Sequence, residues 1–280
     1  MRLAIVSDIH GNLPALDAVL ADIARRGAEL SRKRRAAPSF LDPLGGPDAN
    51  AAGLGVLTVN CGDLLSGPLW PHETAERLMA LNLPTIAGNH ERQLLACSQG
   101  PGGASDQYAF EHTTQTQRDW LAALPARLEP LPGVLMVHGR PDSDLEYLLE
   151  TVDAAEPAGV RAATPDEVRT RCAGIDAELL VCGHSHHPAV MQVPGGPLVV
   201  NAGSVGLQAY DDDHGGLHWI RNGSPHARYA LCERSERGRW QVALIAVDYD
   251  WSAAAAQARR NGAADWAGWL ETGWAAAAQS

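Results

Sequence analysis

Leu3-Ala4-Ile5-Val6-Ser7-Asp8-Ile9-His10-Gly11-Asn12-Leu13-Pro14 begins as a short apolar run of strand formers, breaks at Ser7-Asp8 and turns into a helix. Leu13, Leu16, Val19, Leu20 and Ile23 recur on one helical face, and Pro14 suits a first turn. The unit is therefore strand, loop, helix. The same grammar returns four times. Val56–Val59 leads into Asn60-Cys61-Gly62-Asp63, and Pro84–Ala87 into Gly88-Asn89-His90-Glu91. Val134–Val137 leads into His138-Gly139, and Leu179–Val181 into Cys182-Gly183-His184-Ser185-His186. In open α/β sheets, sites form beyond the carboxyl ends of the strands. Five turns far apart in sequence should thus meet in space.

After His186 the pattern becomes strand-rich: Val190–Val193, Leu198–Val200, Leu217–Ile220, Ala227–Leu231 and Trp240–Val247 are split by Gly, Pro and Asn. These runs predict a second sheet packed on the first. Residues 30–54 hold the basic run Arg32-Lys33-Arg34-Arg35, then Pro, Gly, Asn and Ala, and read as a flexible insertion. It joins the first helix to the second strand, so it should lie away from the strand-end site and be dispensable there. Residues 98–106 read as a mobile loop. The Ala-rich tail, 251–280, reads as helical, with Trp266, Trp269 and Leu270 on one face that docks on the core. No internal repeat is visible, and the chain reads as one domain over 1–280.

The polar residues at the strand ends carry the chemistry. Asp8 and His10 are one residue apart, so in extended backbone both side chains point the same way and could share a metal. Asn89-His90 and the His184-x-His186 pair each follow a Gly at a strand end, where packing has little use for them. Across the five turns the order is Asp-x-His, Gly-Asp, Gly-Asn-His-Glu, His-Gly and Gly-His-Ser-His. Mixed nitrogen and oxygen donors without thiolates suit Mn, Fe, Zn or Ni better than Ca or Mg, and do not describe a structural zinc site.

This set, in this order from Met1 to about Ser204, resembles the calcineurin-like metallophosphoesterases. Asn201-Ala202-Gly203-Ser204-Val205-Gly206 is similar to the Asn-Pro-Gly-Ser segment of their compact bacterial phosphodiesterase-like branch, with Ala202 in place of Pro. Glu91 stands where the family more often has Asp, and Ser185 where it has Thr. The resemblance implies an α/β fold in four layers, an α/β/β/α sandwich of two mixed sheets flanked by helices. It implies that Asp8, His10 and His186 hold one metal and Asn89, His138 and His184 a second, with Asp63 bridging, and that His90 protonates the leaving oxygen. The cofactors would be two divalent transition-metal ions, manganese favoured, about 3.5–4 Å apart and sharing a hydroxide that attacks phosphorus. Four positive charges against the carboxylates of Asp8 and Asp63 leave a centre that attracts phosphate. The substrate would be a phosphodiester or small phosphorylated metabolite. A phosphoprotein phosphatase is the alternative enzyme, and a non-catalytic scaffold with the same fold the alternative from another class.

Arg92 and Arg140 each follow a ligand turn and could fork a phosphate oxygen. Asn12 either bonds the substrate phosphate or caps the first helix. His187 adjoins the histidine pair and belongs either to the mouth of the site or to the surface, while His72, His112, His214, His218 and His226 have no ligand spacing. Asp211-Asp212-Asp213 reads as a solvated loop, and neither Ser66 nor Ser204 has a His–Asp pair near it in sequence. The 280 residues carry a formal charge of −11, too acidic for a general nucleic-acid binder. An odd count of five Cys with no CxxC predicts a reducing compartment, and no apolar run is long enough to span a bilayer, so the cytoplasm is the expected location.

Overall fold

The structure, a computed structural model, describes residues 1–36 and 56–275. In chain order it comprises β1 (Arg2–Val6), α1 (Leu13–Ala36), β2 (Leu57–Asn60), α2 (Pro71–Leu81), α3 (Asn89–Ala96), α4 (Ala104–Glu111) and α5 (Gln115–Ala122). There follow β3 (Leu128–Leu131), β4 (Val134–Met136), β5 (Glu150–Val152), β6 (Val160–Ala162), α6 (Pro165–Arg171), β7 (Leu179–Cys182), β8 (Ala189–Gln192) and β9 (Leu198–Asn201). The chain closes with β10 (Ala209–Asp212), β11 (His218–Arg221), β12 (Ala227–Arg234), β13 (Trp240–Val247), α7 (Trp251–Arg260) and α8 (Ala264–Thr272).

Two mixed sheets carry the fold, one in the order β13-β12-β1-β2 and one in the order β3-β4-β7-β9-β8. Strand alternation makes the layers. In β1, Leu3 and Ile5 face the second sheet and join Val134, Met136, Leu179, Val181 and Val200 in a dry inter-sheet core. Their neighbours Ala4 and Val6 face the other way, against Leu16, Val19 and Leu20 of α1 and the alanines of α7. On the far side of the second sheet, Leu180 and Val199 pack with Val168 of α6 and with Leu148 and Leu149. Helices, sheet, sheet and helix are the four layers expected.

The partition of strands is not the expected one. The strands after His186 do not form one sheet: β10 and β11 pair only with each other, and the rest divide between the two main sheets. β8 and β9 complete the sheet begun by β4 and β7, whereas β12 and β13 complete the sheet begun by β1 and β2. β1 accepts β2 in parallel on one edge and β12 antiparallel on the other, with Arg2 opposite Glu233. Pro84–Ala87 makes a single bridge pair, Thr85 with Asn60, because Pro84 has no N–H for a ladder. Ile86 still enters the inter-sheet core.

Two stretches read as loops are partly helical. α1 runs on to Ala36, carrying the basic run Arg32–Arg35, since the segment is rich in strong helix formers. The remainder of the expected insertion, 37–54, lies outside the described residues. α4 begins at Ala104, and its Asp106 is buried. Among the described residues no helix is long and apolar enough to cross a membrane.

This layering makes a specific stability prediction. Ile5→Ala removes a fully buried side chain between the sheets and should cost about 2–5 kcal/mol in urea denaturation. Leu244→Ala, on the outer strand β13 where Leu244 is 41% exposed, should cost well under about 1 kcal/mol. Equal losses from the two would contradict the assignment of the inner face.

Candidate metal centre

The centre begins with backbone that side chains ordinarily avoid. Asp8 (φ 55°), His10 (φ 52°), Asp63 (φ 56°), His184 (φ 69°) and His186 (φ 57°) all lie in the left-handed region. Among the described residues the one other non-glycine there is Asn82, a helix C-cap. Such positions are rare and cost energy, so they persist only where neighbours over-determine them. Here the strand-end loops bond to each other. Asp8 N donates to Gly62 O (2.9 Å), Ile9 N to Asp63 O (2.8 Å) and Gly183 N to His138 O (2.9 Å). The Glu91 carboxylate accepts from the amides of Asp63 (2.9 Å), Leu64 (2.8 Å) and Gly88 (2.7 Å), which caps α3 and ties it to the Asp63 loop. The Asn201–Ser204 segment does the same for the other sheet. Asn201 Nδ2 donates to Gly183 O (2.8 Å), and Ser204 Oγ donates to Asp8 O (2.8 Å). Gly88 has no room for a side chain, because a Cβ there would stand 2.2 Å from Asp63 Oδ1.

The turns converge as expected. Asp8, His10 and His186 form one group and Asp63, His138 and His184 a second, with the donor atoms of each group within 4.8 Å of one another. All six are buried. Asn89 Oδ1 lies 3.0 Å from His138 Nε2, and the amide is oriented by its Nδ2, which donates to Gln93 Oε1 at 3.0 Å. Each imidazole is set by a backbone carbonyl. Nδ1 of His10 faces Ser66 O, Nδ1 of His138 faces Cys61 O and Nδ1 of His186 faces Leu207 O, each at 2.7 Å, while Nε2 of His184 faces Leu145 O at 2.9 Å. A carbonyl can only accept, so each ring turns its other nitrogen inward, where it offers a lone pair whenever the ring is neutral.

Two of those lone pairs meet head on, with His10 Nε2 3.1 Å from His186 Nε2. The contact is repulsive unless a proton or a cation lies between them. Burial and the neighbouring His186 push His10 down to about 3, so its own ring stays neutral and offers a lone pair. Burial and His138 likewise hold His184 down to about 4. Asp63 stays ionised against its burial because His138 and His90 face it, and the same carboxylate lifts His138 to about 10 despite burial. Ionised carboxylates and inward lone pairs are the donor set of a divalent transition metal, and these residues fit one in each group.

His90 stands beside the two groups, its ring centroid 5.3 Å from that of His10. Its Nδ1 is 2.8 Å from Asp106 Oδ1, which leaves Nε2 as the ring nitrogen available to the cleft. Burial opposes its charge, yet Asp63 and the Asp106 hydrogen bond raise it to about 9. Asp106 is a residue the sequence did not announce; it sits 16 positions downstream on another helix. It also accepts a hydrogen bond from Ser66 Oγ at 2.6 Å. Ser66 therefore does lie beside a His–Asp pair, but it donates to the carboxylate rather than to a base, so it is no nucleophile.

Other residues named from the sequence stand elsewhere in the fold. Asn12 is buried, donates to Gly206 O (2.9 Å) and Tyr249 OH (3.1 Å), and accepts from Ala15 N, so it caps α1 and does not line the cleft. Arg92 forks the Asp144 carboxylate and Arg140 that of Asp142, both at the exposed surface outside the cleft. His187 faces Arg221 O at 3.1 Å and is not part of the cleft wall. Conversely Asp211, Asp212 and Asp213 line the cleft, and so do Trp266 and Trp269 of α8 while still packing on the helix-side core. The cleft above the two groups measures about 520 Å³.

A family model described as calcineurin-like phosphoesterase matches residues 1–188. The uncharacterised protein MJ0912 of Methanocaldococcus jannaschii is 24% identical over 281 residues, covering 95% of each chain. A crystal structure of a metallophosphoesterase from Sphaerobacter thermophilus superposes with a TM-score of 0.60 at 23% identity, covering 94% of this chain and 95% of that one. That likeness establishes the shared fold.

Beneath the His184–His186 turn lies Glu150, buried, with Oε2 unpartnered; burial raises it from 4.5 to about 7. A carboxyl raised in the folded state favours folding fully below 4.5 and loses that contribution as the pH climbs through about 7. Glu150→Gln should therefore gain stability relative to wild type between about pH 5 and about pH 8, by up to about 3 kcal/mol. Thermal unfolding of both proteins across that window measures it; a constant difference would contradict a carboxyl raised by burial.

Proposed function

Because the chain belongs to the calcineurin-like phosphoesterase family, we propose that it hydrolyses a phosphoester, a phosphodiester or small phosphorylated metabolite, at a centre of two divalent transition-metal ions, manganese favoured. The observation that carries this reading is the pair of three-donor groups side by side at the strand ends, with His90 beside them in the same cleft. Asp8, His10 and His186 would hold one ion, and Asn89, His138 and His184 the other, with Asp63 shared. When bound, such a pair supplies Lewis-acid polarisation of the phosphoryl group and lowers the pKa of water.

The chain's own residues do the rest. The carbonyls of Ser66, Cys61, Leu207 and Leu145 hold the four ligand imidazoles in the tautomer that leaves a donor nitrogen inward. His90 protonates the departing oxygen through Nε2, and Asp106 and Ser66 hold its ring in place. Asn12 is bonded to Gly206 O and Tyr249 OH, Arg92 to Asp144 and Arg140 to Asp142, and these contacts lend no support to a part in binding the phosphate. All five cysteines are free thiols, which fits a reducing compartment such as the cytoplasm.

Chelation should abolish hydrolysis and manganese should restore it, with about two ions per chain by elemental analysis. His90→Asn should keep both ions and slow turnover of an alkyl phosphodiester roughly 10²–10⁴-fold, while hardly affecting a nitrophenyl ester whose leaving group needs no proton. Asp63→Asn should lose metal as well as activity. A fully loaded protein that cleaves no phosphoester, or a His90→Asn variant with wild-type turnover of the alkyl ester, would overturn the reading.

A further inference from the structure

The cleft is far larger than one phosphate needs. At about 520 Å³ it falls in the range of pockets that enclose a whole small molecule. Its walls are of two unlike kinds. One is aromatic. Trp266 and Trp269 stand one turn apart on α8, hence on the same helical face, and both are partly exposed to the cleft. Their ring centroids are 6.4 Å apart, and the Trp266 ring lies 5.9 Å from that of His10. Gly67 makes this approach possible, since a Cβ there would come 2.9 Å from Trp266 Cη2 and 2.7 Å from His10 O. Two half-covered indoles beside a polar centre leave apolar surface in contact with water that a flat ring would cover.

The second wall is acidic. Asp211, Asp212 and Asp213 line the cleft, and no Lys or Arg is among its described lining residues. Ionised carboxylates accept hydrogen bonds and cannot donate them. They repel any phosphate beyond the one that the donor groups would take, and welcome amino or hydroxyl groups.

We infer that Trp266 and Trp269, tilted 46° to each other, select a nucleoside ester with a single phosphate, its base stacked on one indole and bordered by the other, and its amino or hydroxyl groups turned to Asp211 and Asp213. The inference rests on the phosphoesterase reading for the placing of the phosphate. Both indoles also touch the core, so stacking has to be separated from a purely structural role. Binding to the manganese-loaded His90→Asn protein, which should keep both ions with turnover slowed, separates them; the tryptophan variants are compared in that background. Calorimetry should show adenosine 5′-monophosphate binding more tightly than glycerol 3-phosphate, roughly ten- to hundredfold, the span of one stacked base. Trp266→Ala and Trp269→Ala should remove most of that preference and leave glycerol 3-phosphate affinity unchanged, whereas Trp266→Phe should retain much of it. Hydrolysis of the methyl esters of the two phosphates, which share a leaving group, should show the same ratio in kcat/KM. Equal affinity for the two ligands with both tryptophans present, or an equal loss of both in the alanine variants, would overturn the aromatic subsite. Failure to cleave either ester, with the binding preference intact, would count against the phosphoesterase reading and leave the subsite standing.

Discussion

Five of the side chains at the candidate centre sit on left-handed backbone, and most of the surrounding structure can be understood as what holds them there. Each such residue costs roughly 1–2 kcal/mol relative to ordinary backbone. A strand that simply continued would send alternate side chains to opposite faces. The left-handed turns after β1, β2 and β7 instead aim Asp8, His10, Asp63, His184 and His186 at one volume. The constraint is met from both sheets at once. Glu91 gathers three amides on the side of the first sheet, while Asn201 and Ser204 bind the Gly183 and Asp8 carbonyls from the side of the second. The inter-sheet core of Ile5, Val59, Met136 and Val181 keeps those two sets of anchors in register.

The same packing sets the electrostatics. Burial keeps His10 and His184 neutral, and the imidazoles facing Asp63 keep it charged. The result is a cluster of lone pairs and carboxylates with no Lys or Arg among the described residues of the cleft wall, in a chain of net charge −11. An anionic substrate entering such a cleft needs a local positive charge that outweighs the carboxylates beside it. Divalent ions at the two groups are the groups of sufficient charge that these donors fit. Arg92 and Arg140, by contrast, fork Asp144 and Asp142 at the surface outside the cleft.

Much of this was legible in the residue string because the chemistry lies in short, local signals. Gly-Asn-His and Gly-His-Ser-His each put ligand-type side chains at a strand end, where apolar packing does not ask for them. Apolar runs ending in such turns also announced the layered α/β fold. What stayed hidden was non-local. β1 pairs with β12 across more than two hundred residues, and no periodicity shows which sheet a strand joins. Asp106 stands in a short helix after a glycine-rich stretch, and only the fold brings it to His90. Arg92 and Arg140 misled for the opposite reason. They adjoin ligand turns, but helix and loop geometry turns them toward surface carboxylates. Asn12 has the polar amide of a phosphate binder and also the position of a helix cap, and the cap prevails. The Trp266 stripe combines two roles that a helical-face pattern cannot separate, one edge on the core and one on the cleft.

The central claim is that these turns form two adjacent cation sites, and anomalous diffraction from manganese-loaded crystals tests it most directly. Two peaks per chain are expected. One should lie among Asp8, His10 and His186 and one among Asp63, His138 and His184, with the Asp63 carboxylate reaching both. A single peak, or density that avoids these side chains, would contradict the account.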